Sequence, residues 1–236
     1  MIKAILFDLD GTLLPMEMET FVKAYFKGLA VKIAPHGYNP EEVVPAVYAG
    51  VAAMTKNDGT KTNEQAFWDK FAEILGGGIR NHVSTFDEFY RTEFQKVKDV
   101  CGFNEKSNKI VKKCKENGLK VILATSPLFP QIGTESRMDW AGLDKADFEF
   151  FTTYEDYHYC KPNLGYYKEV LDRAGLLPEE CVMVGNDIGE DMVAKQLGMQ
   201  VFLLTDCLIN KNGQDLSEFP HGNFDDLEEF IDGLNR

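Results

Sequence analysis

The chain has 236 residues, 44% of them hydrophobic and 27% charged, which excludes a disordered chain and allows one large or two small soluble domains. A formal net charge of −13 argues against nucleic acid and anionic membrane as partners, and any phosphate-ester site must be made locally positive. No stretch approaches the ~20 consecutive apolar residues of a membrane span.

The first element is the apolar run "AILFD" (4–8), too short and too quickly charged for a signal peptide. It ends on two acidic residues one position apart, Asp8 and Asp10, followed by Gly11. Residues 15 to about 105 then carry amphipathic helical patterns and no convincing strand: "METFVKAYFKGLAVKI", "PEEVVPAVYAGVAAMTK", "NEQAFWDKFAEIL" and "TFDEFYRTEFQKV". Turn signals at 35–40, 56–62 and 76–82 separate them. The "GGG" at 76–78 lacks the strand-to-helix setting of a dinucleotide loop and reads as a helix break. Aromatic residues recur here near helical spacing (Phe21, Tyr25, Phe26, Phe67, Trp68, Phe71, Phe86, Phe89, Tyr90), and most are expected to form the segment's own core. Its basic residues Lys23, Lys27, Lys56 and Arg80 are candidate substrate contacts that the sequence does not rank.

Beyond residue 105 the pattern changes. Short apolar runs at 119–126, 148–153, 181–187 and 200–204 have the look of parallel strands buried on both faces. Helical patterns at 108–118, 163–175, 190–198 and 225–234 alternate with them, the first three stopping at Gly118, Gly175 and Gly198. Strands alternating with helices predict an α/β fold with a parallel sheet. Five dispersed cysteines without a CxxC pair suit reduced thiols in the cytoplasm, and the four histidines show no metal-ligand spacing.

The ends of the predicted strands are polar. Thr125-Ser126 ends the second, Cys160-Lys161-Pro162 follows the third, and Gly185-Asn186-Asp187 ends the fourth, with Asp191 four residues after Asp187. Taken alone, Asp8 and Asp10-Gly11 are also ordinary turn chemistry. Open parallel sheets, however, bind ligands at the C-terminal ends of their strands. If the first and fourth strands are neighbours, Asp8, Asp10 and Asp187 converge, which is costly without a cation among them. Oxygen ligands of this kind suit Mg²⁺.

The segments "FDLDGTL", "LATS", "CKP" and "GNDIGED", in this order over residues 7–191, resemble the motifs of the haloacid dehalogenase-like hydrolase superfamily. The resemblance implies a doubly wound parallel sheet of order 3-2-1-4-5, with a helical cap inserted after the first strand. The core would then be residues 1–14 and 106–236, and the cap 15–105. It implies that Asp8 is the nucleophile forming an aspartyl-phosphate, and that Asp10 is the general acid and then base. Thr125, or less readily Ser126, would bind a phosphoryl oxygen, and Lys161 would offset nucleophile and phosphoryl charge. Mg²⁺ would be held by the Asp8 carboxylate, the Asp10 main-chain carbonyl and Asp187, supported by Asn186 and Asp191. Many members read "GD" where this chain reads Gly185-Asn186-Asp187, so either Asn186 or Asp187 takes the main metal position. Asp187 is preferred because it keeps the charge and the four-residue spacing to Asp191. The activity so implied is Mg²⁺-dependent hydrolysis of a small phosphorylated metabolite. Alternatives on the same scaffold are a phosphomutase, a phosphonate-cleaving enzyme or a dehalogenase; a non-catalytic phosphate-binding protein is a further one.

Overall fold

Every residue of the first strand, β1 (Ala4–Phe7), is buried in the computed structural model, which describes residues 1–234. Its side chains alternate between two apolar layers: Ile5 and Phe7 enter one, Ala4 and Leu6 the other. β2 (Lys120–Leu123), β3 (Cys181–Gly185) and β4 (Gln200–Leu204) alternate in the same way. With β5 (His221–Gly222) they form one parallel sheet in the order β2-β1-β3-β4-β5. Phe7 stands opposite both Leu123 and Val184, so β1, β2 and β3 end at one level.

The expected adjacency of residues 4–7 and 181–185 is therefore present. The 148–153 run follows β2 less closely than expected. Glu149 N–H donates to the Val121 carbonyl at 2.8 Å and Leu123 N–H to the Phe150 carbonyl at 3.1 Å, yet only Leu123 and Phe151 form a bridge. Counting that segment outside β2 recovers the order 3-2-1-4-5, to which β5 is an unanticipated addition.

Helices cover both faces. α5 (Glu105–Glu116), α6 (Gln131–Trp140) and α8 (Phe224–Gly233) place Ile110, Met138 and Leu227 in the Ile5/Phe7 layer. α7 (Leu164–Ala174) covers the other with Tyr166, Tyr167 and Val170. It starts on Asn163, whose side chain accepts from the Gly165 N–H, and ends on left-handed Gly175. The helix expected at 190–198 is only a short 3-10 segment, Met192–Leu197. Asp191 precedes it but does not cap it, because its carboxylate is turned to Lys161 instead.

Between β1 and β2 lie α1 (Met18–Ile33), α2 (Pro40–Thr55), α3 (Asn63–Leu75) and α4 (Val83–Arg91). α3 begins with a Thr62/Gln65 capping box and ends at Gly76 (φ 85°), the break expected of "GGG". The fourth pattern splits. Thr92 Oγ1 donates back to the Glu88 carbonyl at 2.7 Å, and beyond it the chain tightens into the 3-10 segment Glu93–Val100. The two connections to the sheet lie side by side, with Met16 bridged to Cys101 and the Gly102 N–H donating to the Pro15 carbonyl at 2.7 Å. A second attachment is the start of α3. The Asn63 and Glu64 N–H groups donate to the Tyr157 and Tyr154 carbonyls, and Asn63 Nδ2 to the Tyr159 carbonyl at 3.2 Å. Asn63 is fully buried there, beside the segment that leads into Lys161.

Candidate active site

Asp8 leaves the end of β1 with its N–H bonded to the Val184 carbonyl at 2.9 Å, so the neighbouring strand fixes its backbone. Lys161 Nζ, wholly buried, donates to Asp8 Oδ1 at 2.8 Å and to Asp191 Oδ1 at 2.7 Å. Burial works against the Lys161 charge, but Asp191 and Asp8 hold its pKa well above the usual lysine value. Burial pushes the Asp191 carboxyl up to about 7, against the pull of Lys161 and with a further push from Asp8. One ammonium thus faces two buried carboxylates, and the cluster retains excess negative charge.

Gly11 turns the chain after Asp10 with φ 83°, and a Cβ there would collide with the Asn186 side chain. Thr12 follows, buried, with its hydroxyl 3.2 Å from Asp8 Oδ2 and 3.0 Å from Asn186 Oδ1. A hydroxyl has one proton to give, so one of these two oxygens is always left without it. Asn186 Nδ2 donates to the Cys207 carbonyl at 2.7 Å, which fixes the amide with its oxygen toward Thr12.

Asp187, the residue preferred for the metal from the sequence, lines the cavity and also bonds within its own turn. Its Oδ1 accepts from the Gly189 N–H at 2.7 Å and the Glu190 N–H at 3.1 Å, so it organises its own loop. Its N–H donates to Asp191 Oδ2 at 3.0 Å. Of the two candidate residues, Asn186 meets Thr12 beside Asp8, and Asp187 lines the cavity from the loop. Thr125, buried at the end of β2, and half-buried Ser126 line the same cavity as Asp8 and Asp10. The Thr125 carbonyl accepts from the Tyr166 hydroxyl at 2.9 Å, while its own hydroxyl bonds to no described residue. Lys161 lies behind Asp8, outside the lining.

Sequence reasoning missed Arg137. This fully buried side chain of α6 pairs through Nη1 with Asp10 Oδ2. Its Nε donates to the Gly133 carbonyl at 3.2 Å, its Nη2 to Thr134 Oγ1 at 3.3 Å, and the Phe129 ring centre lies 4.0 Å from its guanidinium. Burial raises the Asp10 pKa from its ordinary value, while Arg137 lowers it and Asp8 raises it further. Asp10 Oδ1 is buried without a hydrogen-bond partner. Nothing in residues 131–140 marks the arginine. It follows no motif, and only the turn of α6 aims it at Asp10.

The residues converge on a cavity of about 340 Å³. Its far wall is made by the helices between β1 and β2: Phe21, Tyr25, Phe67, Trp68, Phe86 and Tyr90 all line it. The expectation that most aromatics there form the segment's own core agrees with the packing, since Phe21, Trp68, Phe71, Phe86, Phe89 and Tyr90 belong to one buried cluster. Phe71 and Phe89 serve that core alone, each fully buried and outside the lining. The basic residues Lys23, Lys27, Lys56 and Arg80 are all absent from the lining.

Among the described residues no group of three or more His, Cys, Asp or Glu side chains has the placement of a metal site. The oxygens that meet here are of another kind: one carboxylate (Asp8), one amide carbonyl (Asn186) and the backbone of the turn. Hard oxygen donors with an unsatisfied lone pair and surplus negative charge fit Mg²⁺, and do not fit a thiolate- or imidazole-seeking metal.

The sequence profile described as "Hydrolase: haloacid dehalogenase-like hydrolase" matches residues 2–198. The pyrophosphatase PpaX of Bacillus cereus is 24% identical over 195 residues, 83% of this chain and 79% of that protein. The glyceraldehyde 3-phosphate phosphatase of Methanothermobacter thermautotrophicus is 35% identical over 78 residues, 30% of this chain and only 34% of that protein. A 2-haloacid dehalogenase from Pseudomonas syringae superposes with a TM-score of 0.65 at 18% identity, covering 98% of this chain and 99% of its own. That last likeness speaks for the fold alone. No helix among the described residues is long and apolar enough to cross a membrane.

Proposed function

We propose that this chain, which belongs to the haloacid dehalogenase-like hydrolase family, is a Mg²⁺-dependent phosphatase that cleaves a small phosphate monoester through an aspartyl-phosphate on Asp8. The reading rests above all on Asp8 itself: a carboxylate fixed by strand, ammonium and hydroxyl, lining a cavity that a second carboxyl, Asp10, also lines. A carboxylate oxygen of Asp8 attacks phosphorus while Asp10 gives its proton to the departing ester oxygen. Asp10 then takes a proton from the water that attacks the acyl phosphate, which frees Asp8 and inorganic phosphate. Burial raises the Asp10 pKa from its ordinary value, the direction that suits a proton donor. A proton donor beside the leaving group favours a phosphate ester over a halide, whose departure needs none.

Arg137 acts as a positioning residue that aims the Asp10 carboxyl. The Thr125 hydroxyl donates to a phosphoryl oxygen, with Ser126 beside it, and Lys161 offsets the charge of Asp8. Mg²⁺ would be held by the Asp8 carboxylate, the Asp10 main-chain carbonyl and Asn186 Oδ1. Asn186 takes this place rather than Asp187, because its oxygen shares the Thr12 hydroxyl with Asp8. Asp191 supports the site through Lys161 and the Asp187 N–H. When bound, the ion neutralises phosphoryl charge. The helices of residues 15–105 act as a cap that keeps water out of the cavity. The five free thiols of the chain suit the cytoplasm.

The test is phosphate release from p-nitrophenyl phosphate. Turnover is expected to need Mg²⁺, to stop with a chelator and to vanish in Asp8→Asn. Full-rate hydrolysis by the chelated enzyme, or by Asp8→Asn, overturns the proposal.

A further inference from the structure

Resting on the phosphatase reading, we infer that the substrate is the phosphate monoester of an aromatic alcohol, bound with its ring among the aromatic side chains of the helical wall. The residues of α1, α2, α3 and α4 that line the cavity include no charged side chain. Among them, Phe67, Trp68 and Phe86 form one cluster, with Trp68 edge-on to both Phe67 and Phe86 at 5.6 and 5.3 Å between ring centres. Rings in such a cluster offer faces and edges to another ring.

The helical wall presents few polar atoms, and two of them are engaged with each other. The Tyr25 and Tyr90 hydroxyls share a hydrogen bond of 3.1 Å. The buried Trp68 indole N–H forms no hydrogen bond of good geometry, although it lies near the Tyr154 hydroxyl, whose pKa burial raises. A sugar's hydroxyls would exchange water for hydrocarbon here and find few partners.

A second anionic group fares worse. Among the described residues Lys211 is the one cation of the lining, and Asp187, Glu190 and Asp191 line the same cavity. The adjoining groove adds Lys23, which is already tied to Glu19 at 2.5 Å, together with Glu17. A carboxylate or second phosphoryl group on the substrate would thus meet more negative than positive charge. Size agrees with a ring: apolar cavities of roughly 150 Å³ admit benzene, and this one, at about 340 Å³, has room for a ring and a phosphoryl group.

The experiment compares kcat/KM for benzyl phosphate, glycerol 1-phosphate, phosphoglycolate and pyrophosphate, all with Mg²⁺, with p-nitrophenyl phosphate as the reference. The first two release primary alcohols, so leaving-group chemistry is held nearly constant. Benzyl phosphate is expected to exceed glycerol 1-phosphate and phosphoglycolate by about 10- to 100-fold, the range that burial of one ring supplies. Trp68→Ala should lower the benzyl-to-glycerol ratio by about tenfold. Tyr48→Arg places a cation on the exposed rim of the cavity, and should raise the phosphoglycolate-to-benzyl ratio by about threefold or more. The melting temperature of each variant checks that it folds. If glycerol 1-phosphate, phosphoglycolate or pyrophosphate matches benzyl phosphate while p-nitrophenyl phosphate is still cleaved with Mg²⁺, the substrate class is wrong and the phosphatase reading stands. If no ester is cleaved, including p-nitrophenyl phosphate, both fall.

Discussion

The sheet side of the cavity meets a ligand with charge, whereas the helices between β1 and β2 meet it with rings. On the sheet side the most buried charged groups are held by others: Asp8 and Asp191 by Lys161, and Asp10 by Arg137. On the helical side rings are held by rings: Tyr25 packs edge-on against Phe89, and Phe67 packs edge-on against Trp68 and stacked on Phe71. The difference has an energetic consequence. A buried charge that loses its partner is left with its full desolvation cost, while a ring that loses a neighbour loses only contact and area. Substitutions on the charged wall should therefore damage folding and turnover together, and those at the exposed edge of the aromatic wall should chiefly change which ester is preferred.

The sharpest way to break this contrast is Lys161→Met. It leaves Asp8 and Asp191 buried without their ammonium, and should cost about 3–5 kcal/mol in urea unfolding of the metal-free protein. Turnover of p-nitrophenyl phosphate should fall about 10³-fold or more. An unchanged unfolding midpoint would show that the charged wall is not held by its ion pairs.

Arg137→Ala comes next, with an expected loss of about 3 kcal/mol. Its kinetic signature should separate positioning from bulk: kcat falls and KM changes little, because Asp10 loses its aim and the aromatic wall is untouched. Equal loss of both parameters would place Arg137 in substrate binding instead.

Asn63→Ala tests the junction between the two walls. It removes a fully buried amide that bonds to the Tyr159 carbonyl and to Asn57, at an expected cost of about 1–3 kcal/mol. Amide hydrogen exchange should rise first at the start of α3 and in residues 154–160. Exchange that rises uniformly across the sheet would argue that the two parts unfold as one.

The smallest effect belongs to Tyr48→Ala. The residue is 53% exposed and touches the Phe26 ring at 4.9 Å between centres, so stability should stay within about 0.5 kcal/mol. Only KM for ring-bearing esters should rise. A large loss of stability would make the rim part of the fold and not of the binding surface.

The polar strand ends were legible because each motif is local. An apolar run that stops on Asp8, or on Gly185-Asn186-Asp187, shows its chemistry without any tertiary contact. Parallel pairing then follows from continuous apolar runs alternating with helices, since such strands bury both faces. The expected helix at 190–198 shortened for a reason no window of sequence contains: Asp191 is drawn to a lysine thirty residues earlier in the chain. Likewise, helical periodicity placed the aromatic residues on inward faces, but a core and a cavity wall have the same periodicity.

What the sequence determined by itself is the order of strands and helices and the set of groups at the strand ends, because period and composition act over a few residues. What the tertiary structure decided is which of those groups meet. Asn186 and Asp187, neighbours in the chain, turn their side chains in different directions, one toward Thr12 and one back into its loop. Arg137 reached Asp10 across 127 positions. Such pairings are set by how helices seat on a sheet, where the cost of an unpaired buried charge selects the partner.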